Sequence, residues 1–146
     1  MGCTQSSQII LPKRAKYALR IAMYTSPEGK TASAAILYYQ NKYIDYDAYR
    51  HDAKDPTGIR AYAMGLIMAA KLTATDLHVQ THHLELLSML DDPKYENESI
   101  HTLESYFQNV RRSFIFEADN QDAISLCKYE VSDKIEPRCA EFTHLS

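Results

Sequence analysis

The chain has 146 residues, of which 45% are hydrophobic and 24% are charged, a composition typical of one globular domain with its own core. Its net charge of -3 disfavours a protein whose main task is to coat nucleic-acid backbone, because such proteins usually carry a basic surface. No apolar run approaches the roughly 18 residues that a membrane-spanning helix needs, and no signal-peptide core is visible.

Residues 1–16 predict a basic segment ahead of the domain. They begin MGCTQS, which fits the N-myristoylation pattern at Gly2 and places Cys3 beside it as a candidate palmitoylation site. Such a short pattern also occurs by chance, so we expect a cytoplasmic protein that contacts a membrane peripherally only if it is acylated. The three cysteines are odd in number and widely spaced, which favours a reducing, intracellular compartment without a disulfide framework.

Three strands are predicted next, at Tyr17–Thr25, Ala32–Tyr39 and Lys42–Tyr49. The polar turn SPEGK separates the first two, and short turns of this kind predict an antiparallel meander. The third strand alternates, which places Tyr43 on the face opposite Tyr46.

The period then changes to that of helices. Asp55 followed by proline is a helix-start signal, and apolar residues recur at helical spacing as far as Leu72. The same periodicities predict the remaining elements, which are a strand at Asp76–Thr81, a helix at His82–Leu90 with Leu84 inward, a helix at Glu98–Val110, a strand at Ser113–Ala118 and a helix at Asn120–Val131. Residues 132–146 are expected to form a tail. The order β-β-β-α-β-α-α-β-α implies an α/β fold with a mixed five-stranded sheet flanked by helices on both faces.

This element order is similar to that of the ribonuclease H fold, and two segments strengthen the likeness. IAMYT at 21–25, followed by a polar turn and AAILYY, resembles that family's first hairpin. DNQDAISLCK at 119–128 resembles the family's pattern Glu-Asn-x-x-Ala-Asp-x-Leu-Ala-Lys. The resemblance covers roughly residues 17–131, the whole predicted domain.

The resemblance implies four acidic positions that this chain lacks. Enzymes of the family hold two Mg²⁺ ions between carboxylates, and these ions activate a water and stabilise the leaving oxygen. Carried across, the four positions are Ser26, Gly58, His82 and Ile124, none of which is a carboxylate. The resemblance therefore implies a pseudoenzyme with no metal or other cofactor.

Other polar side chains offer weaker alternatives for chemistry. Carboxylates that lie near the expected site in sequence, all explicable as helix-start or solvent-facing residues, are Asp55, Glu85, Glu117, Asp119 and Asp122. Histidines that invite a metal hypothesis are His78, His82 and His83, but adjacent histidines point in different directions and no partner has zinc-like spacing. Cys139 and His144 amount to half a site.

Tyrosines crowd the second and third strands, at Tyr38, Tyr39, Tyr43, Tyr46 and Tyr49. Alternate tyrosines of a strand can pack into the core, whereas an exposed set suits an interface because each ring joins apolar area to a polar tip. An edge strand can also pair with a partner's strand. We predict an interaction surface at Tyr39, Tyr43, Tyr46 and Tyr49.

Three functions follow, in order of preference. The first is a protein-interaction scaffold, self-associating or bound to another protein. The second is a protein that binds a nucleic-acid duplex or RNA/DNA hybrid without cleaving it, which requires that its candidate contacts converge on one surface. These contacts are Lys13, Arg14, Lys16, Arg20, Arg111 and Arg112. The third is a hydrolase with relocated carboxylates.

Overall fold

The computed structural model describes residues 17–51 and 57–132. The strands are β1 (Tyr17–Thr25), β2 (Thr31–Tyr39), β3 (Lys42–His51), β4 (Asp76–Thr81) and β5 (Asn109–Phe114). The helices are α1 (Ile59–Lys71), α2 (Leu84–Leu90), α3 (Glu98–Glu104) and α4 (Gln121–Glu130), and a 3-10 turn at Glu117–Asn120 precedes α4. The predicted element order is confirmed. The acylation pattern, the Asp55 helix start and the tail after Ser132 lie outside the described residues.

The five strands form one mixed sheet in the order β3-β2-β1-β4-β5. The first three strands are antiparallel neighbours, whereas β4 runs parallel to β1 and β5 runs parallel to β4. The predicted sheet is therefore confirmed, and among the described strands β3 and β5 lie at its two edges. Within the described residues, no helix is both long and apolar enough to cross a membrane.

Two cores lie on opposite faces of the sheet because alternate residues of a strand point to opposite sides. Leu19 and Ile21 of β1 are buried on the face covered by α1, α2 and α3, where Tyr62 of α1 is also fully buried. Ala22 is buried on the other face, against Ile124 and its neighbours in α4. Helix α4 packs over β1, β2 and β3, and no described helix packs over the part of this second face that β4 and β5 form, which we call its open part.

The structure corrects the predicted boundaries around β5. The third helix ends at Glu104, not at Val110, and the strand begins at Asn109, not at Ser113. Parallel pairing of β5 with β4, from Asp76 opposite Asn109 to Thr81 opposite Phe114, overrides the helical spacing of the sequence. The prediction that Leu84 faces inward is also wrong, because Leu84 opens α2 with 62% of its surface exposed.

A β-bulge changes the predicted alternation of β3. Leu37 pairs with Asp45 and Tyr38 pairs with Tyr43, which leaves Ile44 as an extra residue without a partner. The extra residue shifts Tyr43 to the face that carries Tyr46, and the two rings stack with centroids 5.5 Å apart. The two tyrosines are therefore on one face, contrary to the prediction.

Candidate functional site

The first and third positions implied by the resemblance do not meet. Ser26 opens the β1–β2 turn, where its amide donates to the Lys30 carbonyl at 2.7 Å and its hydroxyl accepts the Lys30 amide at 3.1 Å. His82 follows β4, and because Ile21 pairs with Thr81, the β1 residue level with His82 is Ala22. Ser26 lies four residues further on, roughly 13 Å along a strand. Neither Ser26 nor Ala22 is a carboxylate, so β1 supplies no acid beside His82 with either assignment of the first position.

The second and fourth positions cannot supply metal ligands. Gly58, the N-cap of α1, has a φ of 78°, a left-handed conformation that glycine adopts readily, and it has no side chain. Ile124 is 4% exposed and packs in the core between α4, to which it belongs, and the sheet. Within residues 17–51 and 57–132, no group of three histidine, cysteine or acidic side chains is arranged to hold a metal ion. The side chains at these four positions, and those of the other described residues, therefore do not fit the two Mg²⁺ ions that the resemblance implies.

A buried amide joins the strand ends at this place. The side-chain nitrogen of Asn120 donates to the Ile21 carbonyl at 2.8 Å and lies 3.0 Å from Nδ1 of His82. The Thr81 hydroxyl donates to the same carbonyl at 2.8 Å and accepts the His83 amide at 3.1 Å. Burial lowers the pKa of His82, and the His83 ring acts in the same direction while Glu117 opposes it. His82 is thus a neutral hydrogen-bond acceptor that connects β4 to α4.

The neighbouring carboxylates do not form a cluster in the described part of the chain. Glu85 is exposed and lies 3.7 Å from His83. Asp119 contributes its main-chain carbonyl to Arg20, and the Asp122 carboxylate accepts the Tyr38 hydroxyl at 3.2 Å.

The open part of the second sheet face holds a cavity of about 490 Å³. Arg20 of β1 lines this cavity. Its Nε donates to the Gln80 side chain at 3.1 Å, and its Nη1 donates to the Asp119 carbonyl at 3.0 Å. The same guanidinium lies over the ring of Tyr38, 5.1 Å from its centroid. These contacts fix the orientation of Arg20 without neutralising its charge.

Arg111 of β5 lines the same cavity and is exposed. It makes no hydrogen bond or ion pair with any other described residue. Beside it, His78 Nε2 lies 2.7 Å from the Ser113 hydroxyl. Burial lowers the pKa of His78 and the Arg111 charge lowers it further, so this histidine is neutral near pH 7. The cavity therefore holds two guanidiniums, neither of them paired with a carboxylate in the described part of the chain.

The other predicted basic residues do not join this site. Arg112 points to the opposite face of the sheet, where it pairs with Glu104 at 3.0 Å and with Asp91 at 3.3 Å. Lys13, Arg14 and Lys16 lie outside the described residues. The sequence did not single out Tyr17 or Gln80 as cavity residues, although the alternation of polar residues with Leu77 and Val79 in β4 does indicate a polar face.

The predicted tyrosine surface is divided between the faces of the sheet. Tyr43 and Tyr46 pack beside α4, whereas Tyr49 packs on the α1 side, with the guanidinium of Arg60 4.5 Å from its ring centroid. Tyr39 lies against Tyr17, with ring centroids 4.7 Å apart. The four side chains do not form one continuous patch.

Among the described residues, the outer edge of β3 is occupied by its own side chains. Asp45 accepts the Tyr46 amide at 2.8 Å, and Asp47 accepts the Ala48 amide at 2.9 Å. A strand added at this edge would have to displace both carboxylates from these amides. Charged residues at an edge are a common protection against strand pairing.

No protein-family model matches the sequence, and no curated protein matches it. Solved structures are similar. The N-terminal ribonuclease H domain of a Mycobacterium tuberculosis protein, solved as a fusion with maltose-binding protein, is 17% identical, with a TM-score of 0.66 over 80% of this chain and 94% of that chain. Ribonuclease H1 from the archaeon Halobacterium salinarum is 14% identical, with a TM-score of 0.66 over 82% and 99%. LC11 ribonuclease H1, solved in complex with RNA/DNA hybrid, is 12% identical, with a TM-score of 0.63 over 80% and 96%. This chain therefore has the ribonuclease H fold.

Proposed function

We propose that this chain is a ribonuclease H-fold protein that binds nucleic acid without cleaving it. The observation that carries the proposal is the composition of the strand ends where the resemblance implies paired carboxylates. Ala22, His82 and Ile124 occupy that region, and they offer one neutral ring already engaged by Asn120. Mg²⁺ requires several hard oxygen ligands, so metal-assisted phosphodiester hydrolysis has no support there.

The class of partner is supported by the open sheet face. Arg20 and Arg111 share a cavity and retain their charges, which suits contact with phosphate groups. One protein of similar structure was solved with an RNA/DNA hybrid. By contrast, Asp45 and Asp47 disfavour the addition of a partner strand at β3, although the sequence had suggested such pairing. The geometry therefore moves the preference from a protein scaffold to nucleic acid.

A protein-interaction scaffold remains the second candidate because of one apolar groove between the end of α1 and α3. The groove has a volume of about 490 Å³, and Leu103 lines it together with Ile67 and Tyr106, which are 42% and 64% exposed. Large exposed apolar side chains of this kind are typical of protein contacts. Acylation at Gly2 and Cys3 would place such a contact at a membrane surface.

The deciding experiment measures binding and cleavage of one labelled RNA/DNA hybrid in the same preparation, with Mg²⁺, with Mn²⁺ and with a chelator. We expect binding that weakens as salt rises and no product under any condition. Cleavage that disappears in Asp119→Asn or Asp122→Asn would establish a hydrolase with relocated carboxylates. Absence of binding at low salt would reject the nucleic-acid proposal and favour the scaffold, which Ile67→Asp with Tyr106→Asp would then test in a partner pull-down.

A further inference from the structure

We propose that the cavity on the open β1–β4–β5 face is a nucleotide site in which Arg111 and Arg20 bind a phosphate group. The inference deepens the proposed function, since it names the site and the ligand chemistry, and it rests on that function only for the source of the nucleotide. The site lies on the sheet face and is separate from the strand ends around His82.

The strand register places the residues of this sheet face in rows. Ala18, His78 and Arg111 are side by side on β1, β4 and β5. Arg20, Gln80 and Ser113 form the next row, two residues along each strand. No helix in the described part of the chain packs over the β4 and β5 residues of these rows, and both guanidiniums line the cavity there.

The two arginines have different states. Arg20 is fixed by Gln80, by the Asp119 carbonyl and by the ring of Tyr38, so it loses little freedom when a ligand binds. Arg111 is exposed and has no polar partner in the described part of the chain. A guanidinium presents several donors in a planar fork that matches the oxygens of a phosphate. We assign Arg111 as the residue that closes on the phosphate and Arg20 as a preorganised charge that lines the same cavity.

The remaining lining favours a nucleotide over a simple anion. Tyr38 supplies aromatic surface on which a base can stack. Burial is the main cause that raises the pKa of Tyr38 to about 12, so its hydroxyl stays protonated and donates to Asp122. Asp76 also lines the cavity and offers an acceptor for a ribose hydroxyl or a base amino group, a feature that an inorganic anion cannot use. The volume of about 490 Å³ lies in the range of small-ligand sites.

The test compares three probes, which are inorganic phosphate, AMP and a labelled single-stranded 12-residue oligo(A) RNA. We expect AMP to bind more tightly than inorganic phosphate, and Arg111→Gln to weaken AMP by about ten- to a hundredfold, the effect of losing a charge-assisted hydrogen-bond pair. Lys94→Gln is the matched control, because it removes the same charge from an exposed residue remote from the cavity. Asp76→Asn should weaken AMP relative to inorganic phosphate, because it removes an acceptor that only the nucleotide can use.

The outcomes separate the site from the proposed function. Equal AMP affinity in the wild type and Arg111→Gln would overturn the site, as would AMP and inorganic phosphate binding equally. If oligo(A) binds much more tightly than AMP, and if Arg111→Gln weakens both to the same extent, the natural ligand is nucleic acid. If AMP binds as tightly as oligo(A), the natural ligand is a free nucleotide. A hybrid that binds Arg111→Gln as well as wild type, with no AMP binding, would leave the function standing without this site. AMP binding without hybrid binding would support this site and reject the proposed function.

Discussion

The side-chain amide of Asn120 donates to Nδ1 of His82 across 3.0 Å, and this contact fixes the protonation state of the histidine. The same nitrogen donates to the Ile21 carbonyl. Exchanging the nitrogen and oxygen of the Asn120 amide would place its oxygen against the Ile21 carbonyl oxygen, and both of these atoms are acceptors. Nδ1 of His82 must therefore be an acceptor, and the ring proton lies on Nε2. The resemblance to ribonuclease H implies a carboxylate at this position, whereas this chain has a neutral ring that connects β4 to α4.

The first prediction concerns pH. The pKa values of His82 and His78 are both lowered by burial, so the unfolded chain binds more protons than the folded chain below about pH 6.5. Stability should therefore be fully present above that pH and decline as the pH falls from 7 to 5. Urea unfolding at pH 5, 6, 7 and 8 measures the slope, which should be smaller in His82→Gln. An unchanged slope in the double variant His78→Gln/His82→Gln would show that these rings are not its origin.

The second prediction contrasts two neighbouring arginines on opposite faces. Arg112 pairs with Glu104, which also accepts the hydroxyl of the buried Tyr62, so Arg112→Ala leaves a half-buried carboxylate without its cation. We expect a loss of about 2 kcal/mol in the free energy of unfolding. Arg111→Ala removes the same side chain from an exposed position and should change stability by less than about 0.5 kcal/mol. Chemical denaturation of both variants gives the comparison. Equal losses would mean that the Glu104 pair contributes nothing.

Sequence periodicity predicted most of this fold because its strands and helices carry regular apolar patterns. It failed between Glu104 and Phe114, where the ladder between β4 and β5 decides the structure and no local pattern records the pairing. It also failed at Ile44, because a single inserted residue moves Tyr43 to the other face. The cavity was missed for a similar reason. Arg20 and Arg111 are distant in sequence, and only the order β1-β4-β5 places them on one face.

The third prediction tests whether the fourth acidic position of the family can be restored. Ile124 lies on the buried side of α4, so Ile124→Asp places a carboxylate among apolar side chains. This substitution should lower the free energy of unfolding by more than about 3 kcal/mol. Ile124→Val keeps the shape and should cost about 1 kcal/mol. Thermal unfolding distinguishes them. An Ile124→Asp protein as stable as wild type would show that this position is open to solvent and could accept a metal-binding group.

The last prediction concerns the edge of β3. Asp45 and Asp47 occupy the Tyr46 and Ala48 amides, so replacing both carboxylates with valine frees two donors and removes two charges from an edge that also carries Ile44. We expect Asp45→Val/Asp47→Val to self-associate at concentrations at which wild type sediments as a single smaller species, because an unprotected edge strand pairs with its own copy. Glu28→Ala/Glu96→Ala removes two charges from exposed loops and should leave the sedimentation unchanged. If wild type already associates and the valine variant does not, the carboxylates belong to an interface. In that case the scaffold, not the nucleic-acid binder, would be the function to pursue.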